Sequence, residues 1–222
     1  DVYKRQIPDG TGAVNLAGIK FYHDLIDELL AHGIEPIVTL YHYDLPWALV
    51  ERYGGWISRQ VVDDFETYAR FVINEFKGQV KYWTTINEQS IIVQYWTQKC
   101  FIPEEMRGDN QLRYQINHHM NLAHAVACNL VHELVPDGMV GSVIGYSPIY
   151  PLTSHAEDVM AAQNAHDLRN GYYLDIYFKG RYTDSAMAYL ERHGLAPKID
   201  PGDMELIASG TSDMLGINCL LY

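Results

Sequence analysis

Residues 81 to 90, Lys81-Tyr-Trp-Thr-Thr-Ile-Asn-Glu-Gln-Ser90, place an amide, Asn87, beside a carboxylate, Glu88, after an aromatic and two threonines. Val80 to Thr85 reads as a buried strand, rich in β-branched and aromatic residues. A carboxyl at the partly dry tip of such a strand can donate a proton and later take one back. Taken alone, Asn-Glu at a strand end also fits a helix N-cap followed by an acid in the first turn. His42, in Tyr41-His-Tyr-Asp44, is a second candidate, although a lone histidine there also fits a hydrogen-bonded core position. His118, His119 and His124 could suggest a metal, but adjacent and i+5 spacings do not put two imidazoles on one helical face. No metal and no cofactor is expected.

The elements that must position these groups alternate. Ile19, Tyr22, Ile26 and Leu29 fall at helical spacing until Gly33, and Glu35 to His42 then reads as a strand bounded by Asp44 and Pro46. Val61, Phe65, Tyr68, Val72 and Phe76 mark a second helix, with Ser58 as its expected N-cap and Gly78 as its stop. After Val80–Thr85, Leu112 to Leu134 carries a long helical pattern ended by Pro136 and Gly138. Met139–Tyr146 is the next strand, 156–177 a helix-like region, 203–208 a shorter helix and 213–218 a last strand. Strands this apolar, alternating with helices, predict a parallel α/β sheet, either doubly wound or a (β/α) barrel. Polar and aromatic clusters follow several strands (His42-Tyr-Asp44, Asn87-Glu-Gln89, Tyr146-Ser147), as at the mouth of a barrel. No Gly-x-Gly-x-x-Gly or Walker-type phosphate cradle occurs at any strand-to-helix junction.

Composition narrows the partners. The 222 residues are 48% hydrophobic and 20% charged, enough to bury a large core. A net charge of −12 offers no footprint for a nucleic-acid backbone or an anionic membrane, so small ligands remain. The longest apolar stretch, 139–152, is broken by Gly141, Gly145 and Pro148, and no membrane span is expected. Cys100, Cys128 and Cys219 form no Cys-x-x-Cys pair, and no charged-then-apolar leader opens the chain, so the expected location is the cytoplasm.

Thr39-Leu-Tyr-His-Tyr-Asp-Leu-Pro46, Tyr53-Gly-Gly-Trp56 and above all Trp83-Thr-Thr-Ile-Asn-Glu88 resemble segments of glycoside hydrolase family 1, the β-glucosidases and 6-phospho-β-glucosidases. The likeness runs in order from Ile7-Pro-Asp-Gly-Thr-Gly12 to Asp213-Met-Leu-Gly-Ile-Asn218. It implies a single partial (β/α)8 TIM-barrel domain over 1–222, about four strand–helix units of eight, from the helix after the family's second strand to its sixth strand. Residues 1–6 and 220–222 read as foreign ends, and Leu220 falls where the family has a tyrosine that bonds the nucleophile. A half-closed sheet leaves two unpaired edges, so association of the isolated chain is expected.

The resemblance further implies a retaining β-glycosidase acting on a small carbohydrate. Glu88 would be the general acid/base, Asn87 would bond the sugar 2-hydroxyl, and His42 another hydroxyl of the same ring. Asn218 would stand beside the nucleophile. In a retaining enzyme a second carboxylate lies ~5 to 5.5 Å from the acid/base; in the family it comes from a Thr-Glu-Asn-Gly motif on the seventh strand, which this chain does not contain, so no turnover is expected of the chain alone. Gln89-Ser90 replaces the Pro-Trp of many β-glucosidases, whose Trp lines the aglycone site. Tyr114-Gln-Ile-Asn-His-His-Met120, Pro151-Leu-Thr153 and Asp158-Val-Met-Ala-Ala-Gln163 resemble 6-phospho-β-glucosidases more than plant or animal β-glucosidases. The alternative is a non-catalytic sugar-binding or inert half-barrel with Glu88 as a structural acid. The tryptophans read as core or loop packing by default; sugars do stack on exposed aromatic faces, and Trp47 and Trp96 are the two to watch for it.

Overall fold

Four parallel strands form one sheet in sequential order: β1 (Ile37–Tyr41), β2 (Tyr82–Asn87), β3 (Met139–Gly145) and β4 (Met214–Asn218). The computed structural model describes residues 6–218. The end segments beyond these, with Cys219 and Leu220, lie outside the described residues. The strands register as Tyr41 with Ile86, Asn87 with Val143 and Gly145 with Asn218, so their carboxyl ends finish side by side. β3 and β4 approach closely at Gly141, where a Cβ would fall 1.8 Å from the Met214 carbonyl oxygen.

Helices connect the strands on one side of the sheet. α1 (Leu16–Ala31) precedes β1 and is capped by the Asn15 side chain. α2 (Trp47–Tyr53) and α3 (Gln60–Phe76) lead to β2. α4 (Gln89–Gln94), α5 (Trp96–Lys99) and the long α6 (Asn110–Leu134) lead to β3. α7 (Ala156–His166), α8 (Tyr172–Lys179), α9 (Asp184–Arg192) and α10 (Asp203–Ser209) lead to β4. The core lies between sheet and helices, with Leu40, Trp83, Ile86, Val140 and Ile144 from the strands meeting Phe65, Val72, Ile116 and Ala127 from α3 and α6.

Local chemistry refines the expected boundaries. Ser58 caps one residue early: its hydroxyl accepts the Gln60 amide N–H at 3.2 Å, while Arg59 occupies the N-cap without a side-chain bond. The helix-like region 156–177 is two helices separated by a π-turn at Asp167–Gly171, where one wide turn shifts the helical phase. β1 and β4 are the outer strands, and Ile37 and Ile217 are 64% and 55% exposed. Open edges of this kind are what a sheet of four from eight strands leaves.

α6 is unusual in burying polar as well as apolar residues along much of its length, so each needs an internal partner. His119 Nδ1 bonds the Trp56 carbonyl at 2.9 Å, and His124 Nδ1 pairs with the Thr85 hydroxyl at 2.7 Å. His118 Nε2 donates to Asp203 at 2.8 Å, which leaves Nδ1 to accept from the Tyr182 hydroxyl at 2.7 Å. Burial lowers the pKa of all three imidazoles, that of His124 to about 3, so they pack as neutral rings. Among the described residues no group of His, Cys, Asp and Glu could hold a metal, and no helix is long and apolar enough to cross a membrane.

Candidate active site

The strand ends converge on Glu88. β2 carries a register irregularity between Thr84 and Asn87, and the Ser142 hydroxyl donates to the Ile86 carbonyl there at 2.9 Å. The Glu88 amide then bonds the Val143 carbonyl at 2.7 Å. Glu88 itself is left-handed, at φ 48° and ψ 51°. That conformation costs a non-glycine residue roughly 1–3 kcal/mol and persists only where its surroundings impose it.

Glu88 does not use its side chain as a helix cap. It occupies the N-cap position of α4 but makes no side-chain bond to that helix. Its Oε2 instead accepts the Tyr43 hydroxyl at 2.6 Å, across the mouth from the end of β1. Burial, followed by the Glu88 carboxyl, pushes the Tyr43 hydroxyl well above the usual tyrosine range, so it stays a donor. Lys99 lies over the Tyr43 ring, 4.2 Å from its centroid. Gly145, ending β3, leaves room on the other side: a Cβ there would come within 3.6 Å of Glu88 Oε1 and 3.0 Å of the Ile91 side chain.

The remaining candidates take their places around this pair. Asn87 is buried, and its Oδ1 accepts from Asn218 Nδ2 at 3.2 Å, so the ends of β2 and β4 are bridged. His42 is exposed at the end of β1 and reaches the cluster through an edge contact with the Tyr43 ring, centroids 5.2 Å apart. Its backbone N–H is held by Asp44 Oδ1 at 3.0 Å. Of the two tryptophans, Trp47 is exposed with its ring against Phe101, whereas Trp96 is buried.

Tyr43 is the residue that sequence reasoning passes over. It lies inside the quoted His-Tyr-Asp segment, but only its left-handed backbone, φ 63°, turns its hydroxyl toward Glu88. An aromatic hydroxyl at a strand end beside a candidate sugar-binding histidine was the available signal. A hydrogen bond to a charged group is worth ~1.5–3 kcal/mol. If Glu88 is the proton donor, Tyr43→Phe should therefore lower kcat/KM of the complete protein roughly tenfold or more. Steady-state kinetics check this, and a Tyr43→Phe protein with unchanged kcat/KM would remove Tyr43 from the site.

Comparison with known proteins identifies the family. The model of glycosyl hydrolase family 1 matches residues 2–221. Aryl-phospho-beta-D-glucosidase BglC of Bacillus subtilis is 43% identical over 97% of this chain and 45% of its own length. 6-phospho-beta-glucosidase GmuD of the same organism is 36% identical over 97% of this chain and 46% of its own. A beta-glucosidase from Thermotoga maritima in complex with glucoimidazole superposes with a TM-score of 0.85 at 32% identity, over 97% of this chain and 48% of that one. The chain thus spans a little under half the length of the curated relatives. The four-stranded sheet and its helices are part of a TIM barrel.

Proposed function

Because the chain belongs to glycosyl hydrolase family 1, we propose that it carries the acid/base side of the active site of a retaining β-glycosidase. Glu88 is the general acid/base. A glycosidic oxygen leaves poorly until protonated, and Glu88 supplies that proton as the sugar transfers to a carboxylate nucleophile. In the second step Glu88 takes a proton from the water that releases the sugar. Asn87 bonds the 2-hydroxyl, His42 another hydroxyl of the same ring, and Asn218 stands beside the nucleophile. That nucleophile is supplied by another part of the barrel, so this chain alone is inactive.

The observation that carries the reading is the aim of Glu88. It is held in a costly backbone conformation and turned away from the helix it could cap, toward the strand ends where Tyr43, Asn87 and Asn218 gather.

The substrate is a β-glucoside phosphorylated at carbon 6. This follows the names of the relatives BglC and GmuD together with the likeness of 114–120 and 158–163 to the phospho-enzymes. A cytoplasmic setting fits the buried free thiols of Cys100 and Cys128. The test is to assay the complete protein on p-nitrophenyl β-glucoside and on its 6-phosphate. We expect kcat/KM at least tenfold higher on the phosphate; equal or reversed preference contradicts the phosphorylated substrate, and turnover of neither points to the inert half-barrel.

A further inference from the structure

The residue after the acid/base candidate is fully buried, and both ends of its side-chain amide are hydrogen-bonded. Gln89 begins α4 and is 0% exposed. Its amide nitrogen donates to Asn117 Oδ1 at 2.7 Å and Asn121 Oδ1 at 2.6 Å, both on α6, with the Asn117 carbonyl oxygen 3.2 Å away. Its Oε1 accepts from the Tyr177 hydroxyl of α8 at 3.2 Å. One side chain therefore ties the tip of β2 to two helices that arrive from far along the chain.

We propose that Gln89 is a positioning residue for the glycosidase reaction: by anchoring its own backbone to α6 and α8 it holds Glu88 in the left-handed conformation that aims the carboxyl at the leaving-group oxygen. This deepens, and rests on, the reading of Glu88 as acid/base.

A left-handed glutamate relaxes to an ordinary conformation unless the residues on both sides are fixed. On the amino side the β2 pairing and the bond from the Glu88 amide to Val143 fix it. On the carboxyl side α4 is only six residues long, too short to be rigid by itself. Ser90 Oγ, 3.5 Å from the Gly145 carbonyl oxygen, and the buried Ile92 hold α4 against β3 and the core, and the Gln89 side chain is its hydrogen-bonded tie to α6 and α8. An apolar residue would fill the same space but could not satisfy the two asparagine oxygens and the tyrosine hydroxyl, all of them buried. The network is braced in turn: Asn121 Nδ2 donates to the Tyr182 hydroxyl at 3.1 Å, which is the partner of His118.

A misaimed acid has a kinetic signature that a merely weakened fold lacks. Loss of proton donation slows departure of a poor leaving group such as phenoxide and leaves a good one such as dinitrophenoxide nearly untouched. A general loss of active protein slows both equally. The experiment is kcat/KM of the complete protein on phenyl and dinitrophenyl members of its preferred glucoside series, for wild type, Gln89→Met and Glu88→Gln, with thermal unfolding recorded for each.

For Gln89→Met we expect a fall of roughly 10- to 100-fold on the phenyl substrate, part of the 10²–10⁴ that a general acid supplies, and no more than about a threefold fall on the dinitrophenyl one, by the same reasoning. An equal fall on both, or no fall on either, overturns the positioning role. Should Gln89→Met not fold, Tyr177→Phe, which removes one bond and little volume, decides with the same selective fall at smaller size; an equal or absent effect overturns the role. Glu88→Gln separates the two layers. If it is selective and the Gln89 and Tyr177 variants are not, only the positioning role fails; if Glu88→Gln is itself unselective, the acid/base reading falls and the positioning role with it.

Discussion

Glu88→Gln in the complete protein lowers kcat/KM on an aryl β-glucoside with a poor leaving group by roughly 10²- to 10⁴-fold, the range a positioned general acid supplies. The glutamine keeps the size of the side chain and can still accept from Tyr43, so folding and substrate binding are retained and the loss falls on the chemical step. Steady-state kinetics beside a thermal melt separate the two. Full activity in Glu88→Gln returns Asn87-Glu88 to a structural strand end.

The largest stability effect belongs to Asp203, far from the mouth. Its carboxylate is 1% exposed and receives the Arg59 guanidinium, His118 Nε2 at 2.8 Å and the Asp200 amide at 2.8 Å. Burial alone would raise its pKa, but the bonds from Arg59, His118 and the Asp200 backbone outweigh it and hold the carboxyl well below the usual carboxylate range. Arg59 is 46% exposed and can be re-solvated, so its share is discounted, whereas the His118 N–H has nowhere else to go. Asp203→Ala therefore costs about 3 kcal/mol near pH 7, at the lower end of what breaking a buried pair costs.

The sign of the pH dependence follows from the depressed folded pKa. The contribution of Asp203 is full above the unfolded value of about 3.9 and is lost as pH falls through the lower folded value. Denaturant unfolding of wild type and Asp203→Ala should thus keep a clear difference down to about pH 4 and begin to converge only below it, toward the depressed folded value. A difference that persists undiminished well below about pH 4 would contradict the pairing.

The candidate site was legible where chemistry sits next to its own strand. Asn87 and Glu88 follow a run whose β-branched and aromatic residues mark a buried strand, and the acid belongs at its wet end. Tyr43 was not legible, because its direction depends on a left-handed backbone that the sequence around it does not demand. The same holds for His118: its partner Asp203 is 85 residues away, and no local pattern relates them. Of the fold, the strands and the long helices α1, α3 and α6 were readable from periodicity. The helices α2, α4, α5 and α9 were not, being four to nine residues long with too few turns to set a period. Over 156–177 the π-turn shifts the phase, so two helices read as one.

If Glu88 both delivers and recovers the proton, trapping the sugar on the enzyme exposes the two steps separately. Glu88→Ala in the complete protein, given a dinitrophenyl glucoside, forms the glycosyl intermediate without needing an acid, and then stalls for want of a base to activate water. Azide carries its own charge and needs no base. Added azide is expected to restore turnover and to give the β-glucosyl azide as product. Unchanged hydrolysis with no azide product would contradict the acid/base role, and an α-azide would place Glu88 on the opposite face of the sugar, as the nucleophile.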